Sequence, residues 1–182
     1  GYAIVVQGRI ANSEGVASHQ KTADFVYETL RSRGLPPEDI LYFNYDPDSD
    51  GHYAEPSKAS IEWALTQWAR DKMNPTPPGK PANLYIVMVD HGSADTDSGS
   101  GIFHIHDPGN TEPLDNRITS ADLDAWFTTL QDRLVGDALD QEIISILGFC
   151  KSGSFIDELT GAGKSNRVVI TSSAADEYSY KG

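Results

Sequence analysis

Two side chains in this sequence sit where a folded chain could use them together. The apolar run Glu142-Ile-Ile-Ser-Ile-Leu-Gly-Phe-Cys150 ends abruptly at the only cysteine, and Lys151-Ser-Gly-Ser154 follows with small polar residues. A second run, Asn83-Leu-Tyr-Ile-Val-Met-Val-Asp90, ends at His91-Gly92. A thiol is a competent nucleophile when a base can take its proton, and an imidazole titrating near neutrality is the usual base. The pair therefore predicts covalent acyl transfer, with Cys150 as nucleophile and His91 as base. Lys151 and a helix start just beyond the cysteine would favour its thiolate, and the small neighbours would let a substrate approach.

The elements must bring those two residues to one place. Runs apolar on both faces fit strands buried inside a parallel sheet, and ligands of open α/β sheets gather beyond the carboxyl ends of such strands. Tyr2-Ala-Ile-Val-Val-Gln7 reads as a first buried strand, with Gly8 to Gly15 as the loop at its carboxyl end. Ala23, Val26, Tyr27 and Leu30 recur at helical spacing before Gly34 and Pro36-Pro37, which stop the helix. Asp39 to Phe43 is a second strand. Ile61, Ala64, Leu65 and Trp68 stripe a second helix, and 74–81 is a stiff proline-rich connection into the His91 strand. Beyond His91 the stretch Gly92 to Gly101 reads as flexible, and Ile102 to His106 as a small hairpin strand beside the main sheet. Leu123, Trp126, Phe127, Leu130 and Leu134 mark a third helix capped by Thr119 or Ser120. After the Cys150 strand come a short helix near Phe155 to Leu159 and a last strand, Arg167 to Ser172. Alternation of strand and helix predicts an α/β fold: a three-layer α/β/α sandwich on a mostly parallel sheet.

Chain order removes competing chemistries. An α/β-hydrolase places its nucleophile in G-x-nucleophile-x-G ahead of its histidine, whereas Ser152 stands at the second glycine position and no histidine follows Cys150. A papain-like enzyme also needs a later histidine. Gly161-Ala-Gly-Lys-Ser165 imitates the end of a phosphate loop, but Glu158 occupies the earlier glycine position, so a surface turn is expected. His104 and His106 share a strand face with no further ligand set, which reads as a solvated hairpin. Asp46-x-Asp48-x-Asp50-Gly51 reproduces the first half of a calcium loop, with Ser57 at position twelve and Glu55 nearby; Asp46, Asp48, Asp50 and His52 are the candidate calcium ligands, weighed evenly against a solvated acidic turn.

At 182 residues and 38% apolar composition, one domain spanning 1–182 can bury a sizeable core. A net charge of −13 and a pI near 4.6 disfavour nucleic acid and anionic membranes as partners. No apolar run reaches the roughly 18 residues of a membrane span. One cysteine permits no internal disulfide, so the thiol count leaves the compartment open. Because the chain opens directly on a strand, an excerpt of a longer precursor is expected, its targeting segment removed; this favours a secreted or cell-surface location.

The combination of Asp90-His91-Gly92-Ser93 with Cys150-Lys-Ser152-Gly-Ser154 resembles the legumain-type cysteine peptidases of the caspase-like clan. The likeness continues in Ile4-Val-Val, His19-Gln20, Arg33-Gly34-Leu35-Pro36 and Thr171-Ser-Ser-Ala-Ala175 leading to Ser179-Tyr180, and so covers most of the chain. The resemblance implies a caspase-like fold, a cysteine endopeptidase acting on peptide or protein substrates without a required cofactor, and the backbone N–H groups of Gly92 and Cys150 as oxyanion donors. It also implies substrate contacts at Ser172 and Ser179. Where the family has an arginine and a glutamate lining the pocket for the residue before the scissile bond, this chain has Ser18 and Gly148. The family's assisting asparagine aligns with Val16, with Asn12 nearby. The family's domain continues beyond the Ser-Tyr pair, so a C-terminal segment or second chain is expected to complete the cleft. A transamidase using the same dyad and a non-catalytic binding module of a larger surface protein are the alternatives.

Overall fold

The computed structural model describes residues 1–10, 16–74, 79–106 and 117–179, with only the backbone of Val16. Six parallel strands form the central sheet in the order β3-β2-β1-β4-β8-β9. They are β1 (Tyr2–Gln7), β2 (Ile40–Phe43), β3 (His52–Ala54), β4 (Leu84–Asp90), β8 (Ile143–Phe149) and β9 (Arg167–Thr171). Beside it stands a small antiparallel sheet of β5 (Gly92–Ala94), β6 (Gly101–His104) and β7 (Arg117–Thr119).

One face carries α1 (Val16–Ser32), whose Ala23 and Tyr27 pack on Ala3, Val5, Ile40 and Tyr42. The Tyr27 and Tyr42 rings stack at 5.5 Å. The opposite face carries the larger core beneath α2 (Lys58–Trp63), α3 (Ala69–Met73), α4 (Ser120–Gln131) and α5 (Ile156–Thr160). These layers make the α/β/α sandwich that the alternation of elements predicts. No helix among the described residues is long and apolar enough to cross a membrane.

Several local expectations change. A π-helical segment, Ala64–Trp68, joins α2 to α3. Its wider turn re-aims the apolar stripe, so burial passes from Ile61 and Leu65 to Ala69 and Met73 while Trp68 is only half-buried. Leu134 is buried as expected, but α4 has already ended at Gln131. The stretch after His91 is ordered as β5, closed by a turn in which Asp95 Oδ1 accepts from the backbone N–H groups of Asp97 and Ser98. β8 is not buried on both faces: Ile144 is half-buried and Ile146 is 37% exposed. α1 packs on β1 and β4 and only borders β8, where Ile146 shares an open apolar groove with Phe25, Val26, Thr29 and Leu30, and Val168 and Ile170 of β9 are also exposed.

Polar braces fix α4, which underlies the Cys150 strand. Thr119 caps it, with Thr119 Oγ1 accepting from Asp122 N at 3.1 Å and Asp122 Oδ2 accepting from Thr119 N at 2.9 Å. Lys58 reaches Asp122 at 2.7 Å and ties α2 to it. Two residues further along α4, Arg167 on β9 binds Asp124 at 2.6 Å and Lys164 binds it at 2.9 Å. Burial pushes the Asp124 carboxyl up, but the hydrogen bonds and charges of Arg167 and Lys164 outweigh it and hold the group below the usual carboxylate range. A lowered folded-state pKa contributes stability that is complete above the unfolded value near ~3.9 and is lost as pH falls through the folded one. Asp124→Asn should therefore lower the urea midpoint at neutral pH and flatten the loss of stability below about pH 4. Parallel acid limbs for the two proteins, measured by urea titration at stepped pH, would contradict this.

Candidate active site

The sheet register sets the site. β4 and β8 pair in parallel with Asp90 beside Phe149, so the next residues, His91 and Cys150, leave neighbouring strand ends side by side. Both line a cleft of about 330 Å³, together with His19 and Thr22 from α1, Val89, Asp90, Gly148, Ser172 and Ser179. Among the described residues no hydrogen bond joins Cys150 to His91. The thiol instead lies 3.7 Å from the Ser179 carbonyl oxygen, to which it can donate, and 3.9 Å from Ser179 Oγ.

Asp90 is the centre of this arrangement. Its carboxylate is 1% exposed, with Oδ2 2.9 Å from His19 Nδ1 and Oδ1 3.3 Å from His91 Nε2. The two imidazoles meet edge to face with centroids 5.0 Å apart. The backbone of Asp90 has φ +142°, a conformation that L residues rarely adopt and that persists where surrounding structure imposes it. That surrounding structure is present: Gly8 N donates to Val89 O at 2.8 Å on one side of the strand end, and β8 pairs on the other.

The two glycine-bearing motifs are steric devices. A Cβ on Gly92 would lie 2.2 Å from Phe149 Cδ2 and 2.5 Å from the Cys150 carbonyl oxygen, so only glycine lets β5 start against the cysteine backbone. A Cβ on Gly153 would lie 2.6 Å from Ala175 N, against the turn that follows β9. Lys151, at φ +57°, turns the chain out of β8 into a 3-10 helix, Ser152–Phe155. Ser152 meets Ser173 through hydroxyls 3.3 Å apart, and Ser154 Oγ donates to Lys151 O at 2.6 Å. These contacts fasten the loop carrying Cys150 to segment 172–179, whose Ser179 touches the thiol.

Other anticipated site residues have distinct places. Gly148 faces the cleft, and a Cβ there would meet only Met88 O at 3.5 Å and Val89 Cγ2 at 3.9 Å, ordinary contact with room to spare. Ser172 Oγ donates to Phe149 O at 3.3 Å at the cleft margin. Ser18 is exposed on α1 and does not line the cleft; the wall on that side is made by His19 and Thr22, one turn of helix apart. Asn12, the side chain of Val16 and Tyr180 lie outside the described residues. His104 is half-buried and pairs with Ser93 Oγ at 2.8 Å; burial, with the nearby charges of His91 and Arg117, lowers its pKa. It is a brace of the β5–β6 hairpin.

The structure does not bring the ligand atoms of Asp46, Asp48, Asp50 and His52 together. Asp46 accepts from Gln20 Nε2 at 2.7 Å and from Asp48 N at 3.0 Å, and the Gln20 donor is the main reason its carboxyl lies below the usual range. His52 Nδ1 is 2.7 Å from Asn44 Oδ1. Gly51, at φ +76°, abuts the Tyr27 ring, so the loop is tied to α1. Among the described residues the one convergent set of three or more metal-ligating side chains is His19, Asp90 and His91.

Comparison of the sequence with protein-family models and with curated proteins finds no match.

Sequence reasoning singled out Cys150 and His91 but gave no role to Asp90 or His19. Asp90 carried a signal: it is the one charged residue in an otherwise apolar central strand, immediately before the imidazole. His19 appeared only as part of the His19-Gln20 likeness, with no role, because its meeting with Asp90 depends on where α1 docks.

Gly92→Ala tests the close approach. The added methyl has to displace the Cys150 backbone, and overpacking of this kind costs about 1–3 kcal/mol. Denaturant unfolding should show a loss in that range, accompanied by altered alkylation kinetics at Cys150; wild-type values for both would contradict the geometry.

Proposed function

We propose that this chain is a cysteine endopeptidase of the legumain-like type that hydrolyses peptide bonds through Cys150 and His91. The observation that carries this reading is the cleft itself, in which the sole thiol and an imidazole held by a buried carboxylate share the carboxyl ends of adjacent parallel strands. A fold-level resemblance would not suffice, since fold does not fix function.

In this reading the thiol of Cys150 gives its proton to His91 and its sulfur attacks the substrate carbonyl carbon. With Nε2 of His91 turned toward Asp90, Nδ1 is the nitrogen left to take that proton. Asp90 then stabilises the imidazolium, as a carboxylate beside a histidine does in hydrolytic triads. The negative oxygen of the tetrahedral adduct is held by the backbone N–H groups of Gly92 and Cys150, adjacent because Gly92 lacks a side chain. Collapse breaks the C–N bond, with the leaving amine taking the proton from His91. Water, deprotonated by the same imidazole, releases the acyl group from sulfur.

Cys150→Ala should abolish hydrolysis of a fluorogenic peptide pool, and His91→Ala should lower kcat/KM by about three or more orders of magnitude, because such groups act as a unit. Near-full activity in either folded variant would sink the assignment. Faster alkylation of Cys150 by iodoacetamide than of a model thiol separates an enzyme from a binding module.

Gly148 also bears on specificity. A pocket that selects a carboxamide needs buried donors and acceptors whose loss is costly. Here the wall at Gly148 carries no side chain, and Ser18 is exposed and is not among the residues lining the cleft. Profiling on a peptide library should show cleavage that is not confined to bonds after asparagine; strict confinement to asparagine would contradict this account of the wall.

A further inference from the structure

We propose that the cleft is also a binding site for a divalent transition-metal ion, Zn²⁺ by its ligand chemistry, held by His19, Asp90 and His91, and that the bound ion switches the thiol chemistry off. The ligand atoms of the three residues all lie within 4.8 Å of one another. His19 Nδ1 and His91 Nε2 approach the Asp90 carboxylate to 2.9 and 3.3 Å. Zinc–ligand bonds of about 2.1 Å place neighbouring donors of a tetrahedral site about 3.4 Å apart; the two imidazole–carboxylate contacts, made to opposite oxygens of Asp90, stand within roughly half an ångström of that spacing, and an ion would draw the set in from its 4.8 Å span.

The donor types choose the metal. Two imidazoles with one carboxylate suit Zn²⁺ and its transition-metal neighbours, whereas Ca²⁺ and Mg²⁺ require mainly oxygen. Three protein ligands leave a fourth position open to water, as in zinc sites that are not closed by a fourth side chain. The site is prearranged: Asp90 is fixed by strained backbone between two strands, and His19 is presented by a helix already docked on the sheet. The net charge of −13 raises the local concentration of any cation near the cleft.

Inhibition rests on the reading of His91 as the base. A neutral imidazole that coordinates through Nε2 carries its proton on Nδ1 and cannot accept another from Cys150. The ion also occupies the cleft that the substrate must enter.

The test is calorimetric titration of the full chain with ZnCl₂ and, separately, CaCl₂, repeated with His19→Gln, His91→Gln and Cys150→Ser, each checked for folding by circular dichroism. One Zn²⁺ per chain is expected, with no calcium heat at the same concentrations. Each histidine variant should weaken zinc about tenfold or more, while Cys150→Ser retains the site. Absence of zinc binding, unchanged affinity in a folded histidine variant, or its loss in Cys150→Ser would overturn the assignment. If His19→Gln fails to fold, the more exposed His91→Gln decides. In the wild-type protein, hydrolysis should fall on saturation with Zn²⁺ and return with EDTA; full activity with the site occupied would overturn the inhibitory role. Zinc binding by a chain that hydrolyses nothing would leave the metal site standing and remove the peptidase reading instead.

Discussion

A carboxylate with 1% of its surface exposed is the constraint around which this cleft is built. Taking a carboxylate out of water costs several kcal/mol unless partners replace the lost hydration. Asp90 has such partners in His19 and His91, on opposite oxygens. The strain at φ +142° adds an estimated 1–3 kcal/mol, which the residue cannot shed because its strand is held on both sides. Both costs fall on one position, at the carboxyl end of a central strand, and are met there by two imidazoles and by strands paired on either side. Positions that break local rules while the rest of the fold obeys them are where function is expected.

The same end of the sheet explains why small residues surround the thiol. Gly92 admits β5 against the Cys150 carbonyl, and Gly153 admits the backbone of Ala174 and Ala175. Below them Phe103, Phe149 and Phe155 pack with centroids about 5 Å apart, at 5.0 and 5.2 Å, a fully buried cluster that leaves the overlying loops little freedom. Dense packing beneath and glycine contacts above fix where the sulfur and the imidazole emerge. In the motifs Asp90-His91-Gly92-Ser93 and Cys150-Lys-Ser152-Gly-Ser154 the glycines and serines are thus accounted for by packing and loop contacts, and the peptidase reading gives the cysteine and the histidine their role.

How much of this was legible in sequence follows from the range of the interactions. The strands β1, β4 and β8, the apolar faces of α1 and α4, and the placement of Cys150 and His91 at matching ends all come from local periodicity, which sequence displays directly. β3, β5 and β7 are three residues each, too short for any period, and they exist through their partners. The π segment was hidden because Thr66 back-bonding to Glu62 and the shift of the buried stripe are products of packing. Acidic residues 46, 48 and 50 had the spacing of a cation loop, yet Asp46 turns to Gln20 of α1, a contact 26 residues away that spacing does not encode. The pairing of His19 with Asp90 belongs to the same class. Ser18 and His19 differ by one position, and only the docking of the helix determines which of them meets the cleft.

That long-range dependence bears on the state of the thiol. A sulfur 3.7 Å from the Ser179 carbonyl oxygen is placed to donate a hydrogen bond there. The carbonyl belongs to segment 172–179, which is pinned by Ser152 to Ser173, by Gly153 N to Ser173 O and by Lys151 N to Glu177 O. The loop bearing Cys150 and the segment its sulfur touches are consequently one packed unit beside β8 and β9. In the peptidase reading, a substrate that entered the cleft between Ser179 and the sulfur would break that contact and free the thiol to turn toward His91, which lines the same cleft. Unliganded active sites commonly show such loose geometry before substrate tightens it. In that reading the resting thiol is covered by the same chain segment that completes the wall of its cleft, and substrate binding would assemble the reactive pair.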